Sequence, residues 1–353
     1  MKRFIILLIM LLFFAGSAVF ADESVLIDFA TLVADYQAGG DGPMENKATM
    51  IDFSDKAGTS FADEDKKKMK TSLAIENWQV RFVSSSRTVI NQANSLIKEA
   101  PVKEASKRYG GQRVLGMRIH FPTGPFNSLA DILPPFEIPG YMRKDEVQSD
   151  GSLKEDSTDL EGSKFNGYGI VKNVGVLKRV SINVYGSNFP HRLSVLLKDQ
   201  TNTEIEIPVA TDLFFDGWRT LVWENPNYVV NVRNRELKAY PLYPNSTPMM
   251  KLIGIRVYRG ASQPGSDFIC YVKDIKLTYD IAVLDVERDF DEEALWGILQ
   301  KREEKRRRRE FKKLGNIQVL RYLEKMKMHQ EGESGTDTTS SNSSTTNTTT
   351  TAP

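Results

Sequence analysis

The chain is poor in the residues on which most catalytic centres depend. It has one cysteine, Cys270, and three histidines, His120, His191 and His329, in 353 residues. A single cysteine forbids an intramolecular disulfide, so the fold must stand on packing; a chain this long can bury enough apolar surface to do so. None of the histidines has a partner at metal-ligand spacing. A Gly-x-Ser-x-Gly elbow and a phosphate-cradling glycine loop are both missing. Net charge is only +1, which argues against general binding to nucleic acid. Long apolar runs are scarce too: the one candidate, Phe4 to Phe14, is shorter than the ~20 residues of a spanning helix, so stable membrane insertion is not expected.

That apolar run follows Lys2 and Arg3 and leads into Ala15-Gly16-Ser17-Ala18 and then Val19-Phe20-Ala21. This is the three-part layout of a cleaved signal peptide over residues 1–21, with the mature chain beginning near Asp22 outside the cytoplasm. No cysteine follows the cleavage position, which argues against a bacterial lipid anchor.

Beyond the leader, short alternating stretches dominate. Val25, Ile27 and Phe29 share one parity, as do Thr49, Ile51 and Phe53, and Ala74 to Phe82 reads as a further strand. Val89, Ile90, Ala93, Leu96 and Ile97 recur at helical spacing before Pro101. Arg113 to Phe121 returns to strand character, with Gly116 as a candidate bulge. Prolines 122, 125, 134, 135 and 139 predict an irregular segment, and residues 143–163 an exposed polar loop. Val180–Val184, Leu193–Leu197, Ile205–Ile207, Trp218–Trp223, Leu252–Tyr258, Phe268–Val272 and Ile275–Tyr279 then follow as strands. Asp199 to Asn202 turns one hairpin, and Lys273-Asp274 separates the last two strands. Arg113–Ile119 loosely echoes Lys251–Val257, which shared strand grammar explains as well as duplication does.

Many short strands with turn signals between them predict an all-β fold over residues 22–285. It is an antiparallel two-sheet, jelly-roll-like sandwich with insertions. Residues 286–330 predict a charged helical extension. Acid at Asp289, Asp291, Glu292 and Glu293 suits a helix start, and Leu295, Trp296, Ile298 and Leu299 form an apolar stripe. A second apolar stripe runs from Phe311 to Met326, with a break at Gly315-Asn316. Residues 331–353 are nearly all Ser, Thr, Asn and Gly and predict a disordered tail.

The chemistry that remains is that of binding. Trp218, Trp223 and Tyr228 form one candidate cluster; Trp218 and Trp223 have opposite strand parity, so one faces the core and the other is free for a partner surface or a sugar ring. Arg306, Arg307, Arg308 and Arg309, flanked by Glu303, Glu304 and Glu310, form a docking candidate for an acidic partner or a solvated helix face. Glu204 and Glu206 share a solvated strand face. Asp52, Asp55, Asp63, Glu64 and Asp65 lack the alternation of a calcium loop. Cys270, between Phe268 and Val272, reads as a buried thiol or as one half of an intermolecular disulfide. No cofactor is indicated, and no arrangement points to an enzyme.

The leader, the Trp218–Trp223 segment, the closing Tyr271-Val272-Lys273-Asp274-Ile275-Lys276-Leu277-Thr278-Tyr279-Asp280 and the charged C-terminal helix together resemble the class A flagellar filament outer-layer proteins of spirochaetes. The resemblance runs from the leader to about His329; the Ser/Thr-rich tail departs from it. It implies a non-enzymatic structural protein of the periplasm, coating the periplasmic flagellum over a core of class B flagellins and beside other sheath subunits. No short family motif identifies binding residues. The reading that competes with it is a secreted carbohydrate-binding jelly-roll module.

Overall fold

The structure, a computed structural model, describes residues 22–37, 44–52, 70–83, 86–124, 127–140, 163–235, 243–244, 248–263, 265–282, 289–290, 292–302, 304–306 and 308–309, together with a small hairpin at 146–147 and 153–154. The leader 1–21, Phe53, Asp55, Asp63, Glu64, Asp65, Arg307, the stripe from Phe311 to Met326 and the tail 331–353 lie outside the described residues.

Twelve strands build two antiparallel sheets. They are β1 (Asp22–Asp28), β2 (Gln79–Phe82), β3 (Leu96–Pro101), β4 (Arg113–Phe121), β5 (Leu129–Leu133), β6 (Ile170–Lys172), β7 (Val174–Phe189), β8 (Arg192–Asp199), β9 (Glu204–Ala210), β10 (Leu213–Glu224), β11 (Met249–Tyr258) and β12 (Ser266–Ile281). Short helices are α1 (Val89–Asn94), α2 (Tyr228–Arg235) and α3 (Glu292–Trp296). The first sheet runs β10-β7-β12-β4-β3, with β1 sharing the edge of β12 with β4. The second runs β9-β8-β11-β5-β2, with β6 sharing the edge of β11 with β5. The chain changes sheet at every connection between consecutive strands except β3–β4, β5–β6 and β8–β9. This is the jelly-roll-like sandwich that the strand grammar predicts.

The core lies between the sheets because one parity of each long strand is apolar. Ile182 on β7 and Ile275 on β12 face Val195 on β8 and Ile255 on β11, and all four have no exposed surface. Complete burial of such a side chain contributes about 1.5–3 kcal/mol. The β8–β9 hairpin forms as expected: the Asp199 carboxylate accepts from the backbone N–H groups of Thr201 and Thr203, and Asn202 takes the left-handed φ of 65°.

Several local expectations are corrected. Phe268–Val272 and Ile275–Tyr279 are one strand, β12, in which Lys273 is a bulge residue facing Asn183/Val184. Lys273-Asp274 does not turn because both side chains find partners on one face, Asp28 and Asn183. Leu129–Leu133 is an internal strand inside the proline-rich span; its prolines flank the strand and none interrupts it. The helix at 88–108 stops at Asn94, and Leu96 and Ile97 begin β3. Its apolar residues do not pack: Val89 and Ile90 are 87% and 66% exposed, whereas Asn91 is buried and donates to the Ser86 carbonyl. Gly116 is not a bulge, since β4 keeps unbroken register with β3 and β12.

The N-terminal readings also shift. A bulge at Leu26 buries both Leu26 and Ile27 and leaves Val25 exposed; Phe29 opens a 3-10 turn. Thr49 closes another 3-10 turn, so among the described residues the strand there is Ile51–Asp52. Ile75–Asn77 is a third, which limits the strand to Gln79–Phe82. Polar burial explains the last of these turns. The buried Glu45 carboxylate accepts from Ser72 Oγ at 2.5 Å and Asn77 Nδ2 at 2.7 Å. A buried carboxylate is costly without such partners, so they dictate the local backbone.

Candidate interaction surfaces

Chemistry-bearing side chains gather on the two outer sheet faces and on the C-terminal helical stretch. On the first sheet, Tyr185 of β7 is in register with Trp218 of β10 on one side and Tyr271 of β12 on the other. The three rings form a row, with centroids 5.5 and 5.9 Å apart and edge-to-face geometry at each step. Gly116 of β4 is next in register; a Cβ there would lie 3.3 Å from Tyr271 Cδ1 and 3.1 Å from Ala100 Cβ, so its lack of a side chain gives the Tyr271 ring its place. Tyr109, in the β3–β4 loop, meets Trp218 edge-to-face at 4.8 Å.

A polar row runs beside the aromatic one, two residues along β10 and β7 and, because of the Lys273 bulge, three along β12. Thr220 Oγ1 donates to Asn183 Oδ1 at 2.5 Å, and Asn183 Nδ2 donates to Asp274 Oδ1 at 2.7 Å. Lys273 lies 4.0 Å from Asp274 and bonds to Asp28, with its ammonium 5.7 Å from the centre of the Tyr109 ring. Burial raises the Asp274 carboxyl above the ordinary carboxylate value, against the Asn183 hydrogen bond and Lys273. Burial and the Asp274 charge together raise the Tyr109 phenol.

The predicted cluster of Trp218, Trp223 and Tyr228 is dispersed. Trp218 faces outward, and Trp223, in register with buried Val180, packs against the core. Tyr228 lies on α2, donates to the Asp280 carboxylate at 2.9 Å and carries Lys178 over its ring. The true neighbours of Trp218 are Tyr109 and Tyr185, with Tyr271 next along the row. Tyr185 and Tyr271 were detectable as outward-parity aromatics on their strands; Tyr109, in a loop, was not.

The second outer face carries charges. Arg81, Asp131, Arg256 and Glu206 link β2, β5, β11 and β9 at one level. Tyr258 also donates to Glu206 at 2.6 Å. Glu206 is thus fully engaged, and its carboxyl is held below the usual value by Tyr258, Ser194 and Arg256 although burial opposes this.

The C-terminal stretch is tied to the β8–β9 turn and to the Tyr243-Pro244 segment. Gly297, at φ 57°, separates α3 from helical residues 298–302. Glu293 spans the break, its carboxylate accepting from the N–H groups of Leu299 and Gln300. Arg302 Nη1 donates to the Pro244 carbonyl and Arg306 Nη1 to Asn202 Oδ1 in the β8–β9 turn, at 2.9 Å. The arginine block is therefore not one surface: Arg306 turns to the sandwich, and Arg308 and Arg309 are exposed. Phe290, Leu295 and Trp296 are each more than 60% exposed. Cys270 is wholly buried and free, and burial pushes its thiol up to about 12. Asp52 pairs with Lys70, and no group of three metal-binding side chains occurs among the described residues.

Fold and surfaces together define a β-sandwich protein whose distinctive side chains lie on its outer faces and its helical arm. The chain belongs to the flagellar filament outer layer protein family, whose model matches residues 43–288. It is 48% identical over 333 residues to a flagellar filament outer layer protein of Spirochaeta aurantia, covering 94% of this chain and 95% of that one. A flagellar filament outer layer protein of Treponema pallidum is 45% identical over 322 residues, covering 90% and 92%. One of Borreliella burgdorferi is 31% identical over 278 residues, covering 78% and 74%. Among solved structures, a carbohydrate-binding module in complex with β-1,4-galactotriose aligns over 58% of this chain and 90% of its own, with 10% identity and a TM-score of 0.27.

Proposed function

We propose that this protein is a non-enzymatic subunit of the coat on the periplasmic flagellar filament. It is exported by the leader at 1–21, lies over a core of flagellins and contacts other copies of itself or other sheath subunits. The coat adds stiffness to the filament and so serves motility. The observation that carries this reading is the helical arm. Arg306 ties it to the β8–β9 turn, and Arg302 and Ile298 tie it to the Tyr243-Pro244 segment, while Phe290, Leu295, Trp296, Arg308 and Arg309 stay exposed along it. An arm that exposes both apolar and basic residues suits a helical partner with an acidic surface. Among the described residues no helix is long and apolar enough to cross a membrane.

The test is the protein content of purified periplasmic flagella. The chain should co-purify with intact filaments, and removal of residues 288–353 should weaken its association while the sandwich still melts cooperatively. Its absence from intact filaments would refute the coat role.

A further inference from the structure

The outer face of the first sheet carries a feature that the coat role does not require. The aromatic row Trp218–Tyr185–Tyr271 and the polar row Thr220–Asn183–Asp274 cross the same three strands, side by side, on one face. All three aromatic residues and Asn183 are half-buried and Thr220 is exposed, whereas Asp274 is buried, so the rows reach solvent through the rings, Thr220 and Asn183. From Trp218 to Tyr271 is two interstrand spacings, about 10 Å, the length of a di- or trisaccharide.

This pairing of groups has a specific chemistry. A pyranose ring has an apolar C–H face and a rim of hydroxyls that both donate and accept. Aromatic side chains offer a large apolar surface at low entropy cost, and amide, carboxylate and hydroxyl groups supply both senses of hydrogen bond. A protein partner of ordinary interface size needs a broader apolar centre than these three strands provide. The backbone adds a separate observation. Tyr109 holds φ at 59°, a conformation costing about 1–3 kcal/mol for a residue other than glycine. That conformation brings its ring against Trp218 and above Lys273.

We propose that this face is a saccharide-binding site. A sugar ring lies on the aromatic row under the edge of Tyr109, and its hydroxyls meet Thr220 and Asn183, whose amide the buried Asp274 carboxylate holds in place. The site is independent of the helical arm and of the coat role, so either can fail alone.

The experiment is an oligosaccharide array probed with the full mature chain. One arm carries β-1,4-linked N-acetylglucosamine oligomers, the chemistry of a cell-wall backbone. The other carries serine peptides bearing O-linked mono- and disaccharides, the chemistry of a glycosylated protein. The strongest binder is then titrated while tryptophan fluorescence is followed. Tyr109→Ala should weaken binding at least tenfold, as should Trp218→Phe, while Trp223→Phe, in the core, should leave it unchanged. Tyr109→Ala alters only a loop side chain, and its melting curve is recorded alongside. No saccharide bound in either arm would overturn the proposal, and so would binding insensitive to both Tyr109→Ala and Trp218→Phe.

Discussion

Asp131 accepts from both Nε and Nη2 of Arg256, at 2.6 and 3.1 Å, across a single register pair of β5 and β11. Arg81 of β2 approaches the same carboxylate at 3.2 Å. One buried carboxylate thus fastens three strands, and its hydrogen bond raises the Arg256 guanidinium above its ordinary range. Asp131→Ala leaves Arg256 without its bidentate partner and should cost about 3 kcal/mol. Urea unfolding checks this. Arg81→Ala should cost well under 1 kcal/mol, because that guanidinium is 62% exposed.

His191 lies flat on Phe268, with ring centroids 4.8 Å apart, and is 1% exposed; its Nδ1 has no hydrogen-bond partner among the described residues. Burial, helped by Arg259, lowers its pKa to about 4. The unfolded chain binds this proton near the ordinary histidine value of 6.5, and the folded chain resists it to about 4. Stability is therefore complete above about pH 6.5 and falls as pH drops towards 4, by up to about 3 kcal/mol. His191→Leu should flatten that part of the stability–pH curve in denaturant titrations.

Cys270 should be inert in the folded chain. Its thiol is fully buried and its pKa is pushed up to about 12, so thiolate is negligible at neutral pH. Labelling by a thiol reagent should proceed only through unfolding, at a rate that rises with urea. A dimer cross-linked through Cys270 on a non-reducing gel of native protein would contradict this placement.

Gly254 on β11 marks a close approach between strands. A Cβ there would fall 2.3 Å from the Ile132 carbonyl oxygen, a backbone atom of β5 that cannot step aside. Gly254→Ala should destabilise by about 1–3 kcal/mol, read as a lower melting temperature. Gly116 has the same place in the echoing stretch on β4. There the tight neighbours include the Tyr271 side chain, so Gly116→Ala should cost less and disturb the aromatic row first.

The helical arm gives a prediction that separates binding from folding. Replacing Leu295 and Trp296 by alanine should leave the melting temperature unchanged, because both are exposed. The same variant should bind filaments more weakly in co-sedimentation. The contribution of Arg308 and Arg309 should fade between low and high salt, as exposed charges are screened.

How much of this was legible in the chain varies with the range of the contacts involved. Val180–Val184, Leu193–Leu197 and Leu252–Tyr258 announced themselves because one buried face imposes a period of two. The Asp199 turn was equally plain, since a short polar side chain caps its own backbone. Lys273-Asp274 misled as a turn because its partners, Asp28 and Asn183, come from distant parts of the chain. Val89 and Ile90 misled as a packed helix face because nothing among the described residues covers them. Leu129–Leu133 was hidden by the prolines around it.

By itself, then, the sequence determined the all-β class, most of the strands and the lack of disulfide support, for those follow from local pattern and composition. It also placed Trp218 and Trp223 on opposite faces, since strand parity is local geometry. Only the tertiary structure decided which residues became neighbours. Tyr185 is 33 positions from Trp218 and 86 from Tyr271 in the chain, yet it is in register with both. The order of strands within a sheet is set by the packing of both faces together, and no local pattern carries that information.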